Sequence, residues 1–206
     1  MTAAEFVALV ASYLLGAIPT SYLAGRLFRG IDLRTEGSKN LGATNVYRIM
    51  GWRFAIPVGI FDVAKGAVPV LILGPAVSSR ELFPLLCGVV AVVGHVFSVF
   101  VGFKGGKGVA TSAGVVLGLA PMAVGICLFL WALIVWVSGY VSLGSVVATG
   151  VFPALVWLLY PARRETIWLY VLLAAVIIWM HRANIGRLRA GTENRFGRHA
   201  EGPDSA

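Results

Sequence analysis

Charge is scarce in this chain. Only 13% of its 206 residues are charged, and the acidic ones number nine against seventeen Lys and Arg. Soluble domains carry about 25% charged side chains, so a water-covered surface is excluded as the main environment. Cysteine is nearly absent: Cys87 and Cys127 both lie in apolar runs, which excludes a disulfide framework and any C-x-x-C ligand pair. Histidine occurs three times and the acidic residues are scattered, so no metal-ligand cluster emerges and neither metal nor cofactor is expected. What fills the space instead is 58% hydrophobic residues, with a mean hydropathy of +0.85. That composition reads as a single polytopic membrane domain. The net charge of +8 does not point to nucleic acid, because the basic residues cluster in loops between apolar runs, as membrane orientation requires.

The densest polar signal is Gly102-Phe-Lys-Gly-Gly-Lys-Gly-Val-Ala-Thr-Ser-Ala-Gly114, two lysines and five glycines in 13 positions between apolar runs. Glycine lets backbone N–H groups converge and a ligand approach closely, and a helix starting near Val109 adds its positive end. The string from Lys104 through Gly105, Gly106, Lys107 and Gly108 to Thr111 therefore reads as an anion cradle. Lysines alone would fit an ordinary cytoplasmic turn. It is not a Walker A loop, because Gly108 rather than Ser or Thr follows Lys107.

Seven spans are expected. Ala3–Leu27 is taken as a retained first span kinked at Pro19. Phe54–Val77 is the second, Leu82–Val101 the third. Residues 109–137 are long for one span, which needs ~20 residues, so Pro121 divides them into a short fourth and a fifth. Val146–Tyr160 is the sixth and Thr166–Met180 the seventh. Residues 1–198 form one domain on this reading, and 199–206 a disordered polar tail. Asp62 and Lys65 lie three apart inside the second span and pair on one helix face as structural support. His95, about two turns before the glycine-rich loop, is expected to support that loop.

Between the first two spans, Gly37-Ser-Lys-Asn-Leu-Gly-Ala-Thr-Asn-Val-Tyr-Arg48 concentrates small donors (Ser38, Asn40, Asn45) beside the guanidinium fork of Arg48, which suits phosphate. A basic loop with turn residues would have much the same composition. Ser138–Ser145 is a hydroxyl-rich connection containing Ser142 and Ser145, where helix capping is the simpler account. After the seventh span, His181 and Asn184 share a face if the helix continues. His199 and Asp204 form an H-x-x-x-x-D pattern but sit in a polar terminal run, and are set aside. With seven spans and the N-terminus outside, thirteen of the seventeen Lys and Arg residues lie inside; Arg80, Arg163 and Arg164 lie outside and Lys65 within a span. All four polar clusters then meet at the cytoplasmic face.

These motifs, together with Phe61-Asp-x-x-Lys-Gly66, Gly94-His95 and His181-Arg-x-Asn-Ile-x-Arg-Leu188 followed by Glu193, resemble the bacterial membrane acyl-phosphate:glycerol-3-phosphate acyltransferases. The resemblance runs from Gly37 to Glu193. It implies a seven-helix enzyme of the bacterial inner membrane that joins a fatty acyl phosphate to glycerol 3-phosphate, without acyl-CoA. It also implies catalytic roles for Ser38 and Arg48, glycerol 3-phosphate binding by Lys104 to Gly108, a requirement for His181 and Asn184, and a structural Glu193. The residues fit such chemistry. Both substrates carry phosphate, so many anion donors are needed, and an activated acyl donor needs no covalent nucleophile. Lys107 and Arg48 would hold phosphates, Ser38 and Asn184 would orient, and His181 would act as a base or only orient. A phosphate or organophosphate transporter is the alternative from another class, though polar clusters at one face rather than at mid-bilayer favour an enzyme.

Overall fold

The computed structural model describes residues 1–196, whose regular elements are all helices, with no β-strand among them. The expected tail from residue 199, with His199 and Asp204, lies outside the described residues. Helix α1 (Ala3–Ala17) opens on a capping box, in which Glu5 N–H donates to Thr2 Oγ1 and Thr2 N–H donates to Glu5 Oε2. Pro19 follows and separates α1 from α2 (Thr20–Arg29) by a 42° bend. The polar segment is not merely a loop: it contains the amphipathic helix α3 (Ala43–Met50). Then α4 (Trp52–Val68) passes through a π-helical turn at Pro69–Leu73 into α5 (Gly74–Val77), one continuous 26-residue rod. Proline lacks the N–H that the regular ladder needs, which accounts for the widened turn at Pro69.

Helix α6 (Phe83–Val96) precedes the glycine-rich loop, and α7 (Val109–Leu117) follows it. Then come α8 (Pro121–Ser138), α9 (Val141–Leu159), α10 (Ile167–Met180) and α11 (Arg182–Arg189). Among the described residues four helical stretches are long and apolar enough to cross a bilayer, or six when the bent pairs α1–α2 and α10–α11 each count as one. The difference from the expected seven is α7, whose nine residues extend only about 14 Å at 1.5 Å per residue. Two boundaries also moved. The sixth apolar helix starts at Val141 rather than Val146, so Ser142 and Ser145 lie on its first turns. The last one bends by 56° at His181 rather than running on. Trp136 and Phe129 on α8 are 83% and 72% exposed, a face fit for lipid.

Small residues set how closely these rods approach. A Cβ on Gly66 of α4 would strike the Thr111 carbonyl of α7, and one on Gly114 of α7 would strike the Val63 carbonyl of α4. The two backbones therefore touch reciprocally. Beside this seam lies a buried polar knot. Lys65 Nζ pairs with Asp62 Oδ1 at 2.7 Å and donates to the Ile18 carbonyl at 2.8 Å. Thr20 Oγ1 donates to Asp62 Oδ1 at 2.6 Å, and His95 Nδ1 stands 3.8 Å from the same oxygen. Pro19 disrupts the helix, and Lys65 satisfies a carbonyl at that break. Removing one partner of a buried ion pair typically costs about 3–5 kcal/mol. Lys65→Met should therefore lower the melting temperature in detergent by many degrees, whereas an unchanged melting curve would show the pair to be dispensable.

Candidate active site

Helices α3, α4 and α7 to α11 and the two flanking polar segments enclose one cavity of about 870 Å³. One end is polar and the other apolar. The polar end begins with the Gly37–Gly42 loop, where Gly37 and Lys39 take positive φ. Asn45 holds this loop: its Nδ2 donates to the Leu33 and Glu36 carbonyls, each at 3.1 Å, and its Oδ1 accepts from Ser38 N–H at 2.8 Å. The amide of Asn45 is thus committed to positioning Ser38, although the residue also lines the cavity with Ser38 and Asn40. One turn further along α3, Arg48 Nη2 reaches the Asn194 carbonyl at 3.3 Å, while its buried Nε has no partner. A buried donor left empty is costly unless something else fills it.

Across the cavity, Lys107 Nζ donates to Asn184 Oδ1 at 2.5 Å. Asn184 Nδ2 in turn donates to Glu193 Oε1 at 2.6 Å, and Ser142 Oγ donates to the same oxygen at 2.9 Å. Arg187 Nε completes the carboxylate from Oε2 at 2.7 Å. Burial opposes ionisation of Glu193, yet the hydrogen bonds from Asn184, Ser142 and Arg187 hold its carboxyl below the usual range. Lys107 moves the other way: burial, with help from the Arg187 and Arg48 charges against Glu193, brings it down to about 8. His181, just past the end of α10, places Nδ1 2.8 Å from the Ile177 carbonyl. A carbonyl only accepts, so Nδ1 carries the proton and Nε2 is the free acceptor. Burial and the Lys107 ammonium push His181 down to about 4, so it is neutral at pH 7. Ser145 Oγ donates to the Val141 carbonyl and accepts from Trp131 Nε1, one turn below Ser142.

Four expected site residues are not brought to this cavity. Lys104 is exposed and does not line it. Thr111 is fully buried at the seam between α4 and α7. Gly105 and Gly106 do not offer their amides to a ligand, because Gly105 N–H donates to the Val96 carbonyl and Gly106 N–H to the His95 carbonyl. A Cβ on Gly106 would strike the Leu41 carbonyl and the His95 ring, so close packing is what excludes a side chain there. His95 thus lies directly beneath the loop. Gly108, at φ +85°, remains at the cavity edge and begins α7 with no side-chain cap. The cavity-facing part of the loop is accordingly Lys107, Gly108 and the first turn of α7.

Sequence reasoning missed the apolar end altogether. Ile56 and Ile60 of α4, Leu128 and Trp131 of α8, Phe152 of α9 and Tyr170 of α10 all line it. It also missed Phe196, which stacks on Tyr47 at 4.7 Å and whose N–H donates to the Gly139 carbonyl. Hydropathy marks all these residues as apolar without separating cavity from lipid. The Arg187 contact was open to inference from its spacing to Glu193, but it is the turn at Gly191, at positive φ, that brings the two together.

Fold and cavity together describe a helical membrane protein with a cationic chamber opening onto a long apolar groove. Residues 6–191 match the family model described as glycerol-3-phosphate acyltransferase. Proteins of that name from Chlorobaculum parvum and Trichlorobacter lovleyi are 40% and 47% identical, each covering 95% of this chain and 99% of the relative. Among solved structures, the glycerol 3-phosphate form of PlsY (YgiH), an integral membrane glycerol 3-phosphate acyltransferase, aligns at a TM-score of 0.87 and 36% identity, over 94% of this chain and 96% of that one. Its lysophosphatidic acid form aligns at 0.84 and 35%, over 94% and 95%. The chain belongs to the glycerol-3-phosphate acyltransferase family.

The packing of the glycine-rich loop gives a direct test. Gly106→Ala should lower the melting temperature and reduce turnover with every substrate alike, because the inserted Cβ displaces Leu41 and His95 rather than a ligand. A variant with normal stability and a defect confined to one substrate would restore Gly106 to a binding role.

Proposed function

We propose that this enzyme transfers a fatty acyl group from an acyl phosphate to the 1-hydroxyl of glycerol 3-phosphate, giving 1-acyl-glycerol 3-phosphate and inorganic phosphate. This is the first acylation of phospholipid synthesis. The observation that carries the reading is the continuity of the cavity: a chamber with Arg48 and Lys107 runs without interruption into a groove walled by Ile60, Leu128 and Phe152. An acyl phosphate needs that arrangement, with an anion at one end and an alkyl chain at the other. The hydroxyl oxygen of glycerol 3-phosphate attacks the carbonyl carbon, and the bond to the phosphate oxygen breaks. The electron pair leaves with phosphate, which also takes the hydroxyl proton. The donor is already activated, so neither a covalent intermediate nor a cofactor is required.

Arg48, with its empty Nε, and Lys107 bind the phosphates. Asn184 fixes Lys107, and Glu193 fixes Asn184 through the bonds described above. Ser38 and Asn40 orient the glycerol moiety. Ser142 and Ser145 shape the wall behind it. His181, held neutral, positions substrate through Nε2; a group with a pKa near 4 is a weak proton acceptor at pH 7, which favours the phosphate as the proton's destination. The deciding experiment gives purified protein in detergent glycerol 3-phosphate with either palmitoyl phosphate or palmitoyl-CoA. Product from the phosphate alone is expected; product from the thioester alone would overturn the donor assignment.

The Lys107 value sets a pH dependence. Below about pH 8 the ammonium of the free enzyme is charged and binds a phosphate dianion; above it the charge is lost. The kcat/KM for glycerol 3-phosphate should therefore fall as pH rises through about 8, and Lys107→Arg should keep a flat profile beyond it. An identical alkaline limb in both enzymes would dissociate Lys107 from phosphate binding.

We also propose that α7 serves as the short fourth of seven spans, within one domain of residues 1–198. The polar chamber then faces the cytoplasm of a bacterial inner membrane, the N-terminus lies outside and the C-terminus inside. The support is the asymmetry of basic residues. In a chain with Cys87 and Cys127 replaced, Ser79→Cys should react with an impermeant thiol reagent from outside, and Glu36→Cys only from the cytoplasmic side. Labelling of both from one side would rule out the arrangement.

A further inference from the structure

Three buried polar groups of the cavity wall lack any hydrogen-bond partner: Arg48 Nε, Ser112 Oγ and Tyr170 Oη. They stand at three depths. Arg48 is in the cationic chamber, and Tyr170 is at the apolar end beside Phe152. Ser112 lies between them, at the polar–apolar border. It sits four residues, about 6 Å, along α7 from Gly108. The next residues to line the wall along α7 are Ala113 and Val116, which are apolar. The residue is 5% exposed, and its own N–H is committed to the Gly108 carbonyl at 2.7 Å. Serine on a helix ordinarily bonds back to a carbonyl one turn earlier, as Ser145 does here, but Ser112 does not. Beside it, the first-turn amides of α7 have no acceptor within the helix, and Gly108 supplies no side-chain cap.

We propose that the Ser112 hydroxyl, reinforced by the N-terminal end of α7, donates a hydrogen bond to the carbonyl oxygen of the acyl donor as that oxygen becomes an oxyanion. This rests on the acyl-transfer reading. An acyl phosphate has one polar group between its phosphate and its chain, namely the carbonyl. A ligand with its phosphate at Arg48 and Lys107 and its chain along Val116 and Phe152 brings that carbonyl to the border where Ser112 waits unpaired. The negative charge on the oxygen grows as the glycerol oxygen adds and disappears when phosphate departs, so the hydroxyl donates throughout and no proton leaves it. The dipole of α7 adds to the effect because its positive end meets the same oxygen.

The test compares purified Ser112→Ala, Ser112→Thr and Thr111→Val with the unaltered enzyme, using palmitoyl phosphate and glycerol 3-phosphate. Ser112→Ala should lose at least about tenfold in kcat, against the ~10²–10³-fold typical of a rigid oxyanion donor. Its KM for glycerol 3-phosphate should stay within about twofold, since the ground-state phosphate contacts remain. Ser112→Thr, which keeps a hydroxyl, should recover most of the rate. Thr111→Val removes the neighbouring hydroxyl, which is also buried and unpartnered but outside the cavity, and should turn over normally. A kcat for Ser112→Ala within about twofold of the unaltered enzyme would overturn the assignment. So would equal losses in the alanine and threonine variants at unchanged melting temperature. Should Ser112→Ala fail to fold, Ser112→Cys, of similar size but a weak donor, decides by the same kcat criterion. No turnover by the unaltered enzyme would overturn the acyl-transfer reading together with this one.

Discussion

The cationic chamber depends on the carboxylate of Glu193. It is 8% exposed, and its oxygens draw in three groups from two helices: Ser142 on α9, and Asn184 and Arg187 on α11. Through Asn184 it also fixes Lys107 on the glycine-rich loop. A half-buried ammonium and two guanidinium groups beside an apolar groove would repel one another and pay heavily for lost hydration. One anion among them keeps the cluster compact while leaving it net positive. That surplus is what a phosphorylated substrate needs. It also explains why the strand of chain from Thr192 to Phe196 returns to the bundle, since Glu193 must be delivered from outside the helices.

The second constraint acts on the opposite wall. Asp62 and Lys65 spend their charges on the broken turn at Pro19, with Thr20 and the Ile18 carbonyl as partners. His95 stands between this knot and the underside of Gly106. The position of Lys107 is thereby set from both sides: its backbone rests on a loop packed over α6, while its ammonium is tied to α11. Rigid placement of this kind is how a site whose chemistry is mainly alignment gains rate.

The membrane class and the helical breaks at Pro19 and before Pro121 were legible from sequence because hydropathy and proline act locally. The convergence of Ser38, Arg48, Lys107, Ser142, His181 and Asn184 was legible for another reason: polar residues at the ends of apolar runs have few places to go. What each glycine does was not legible. Glycine serves equally to present an N–H to a ligand and to let a backbone approach a neighbour. At Gly105 and Gly106 the neighbour is the end of α6, and hydrogen bonding to its Val96 and His95 carbonyls removed them from the cradle. The start of α9 was misplaced because Ser142 and Ser145 look like loop residues. Their hydroxyls bond to Glu193 and to a backbone carbonyl, contacts that local propensity does not contain.

The groove escaped detection for a related reason. Ile60 on α4 is 65% exposed in the protein yet lines the cavity, and Leu128 on α8 is 54% exposed and does the same. In a bilayer, residues at such a rim face lipid on one side and the site on the other. A chain that must enter from the membrane needs a wall with that double character, and the hydrophobic effect gives it no sequence mark. Polarity along α7 supplies the missing coordinate. Within nine residues it passes from a capless N-terminal turn beside Lys107, through the unpaired Ser112, to Val116. An amphiphile with an anionic head, one carbonyl and an alkyl tail presents the same order of chemistry over a comparable length. The shortness of α7 is therefore consistent with its place in the wall, where one helix face changes from an uncapped N-terminal turn to apolar side chains within nine residues.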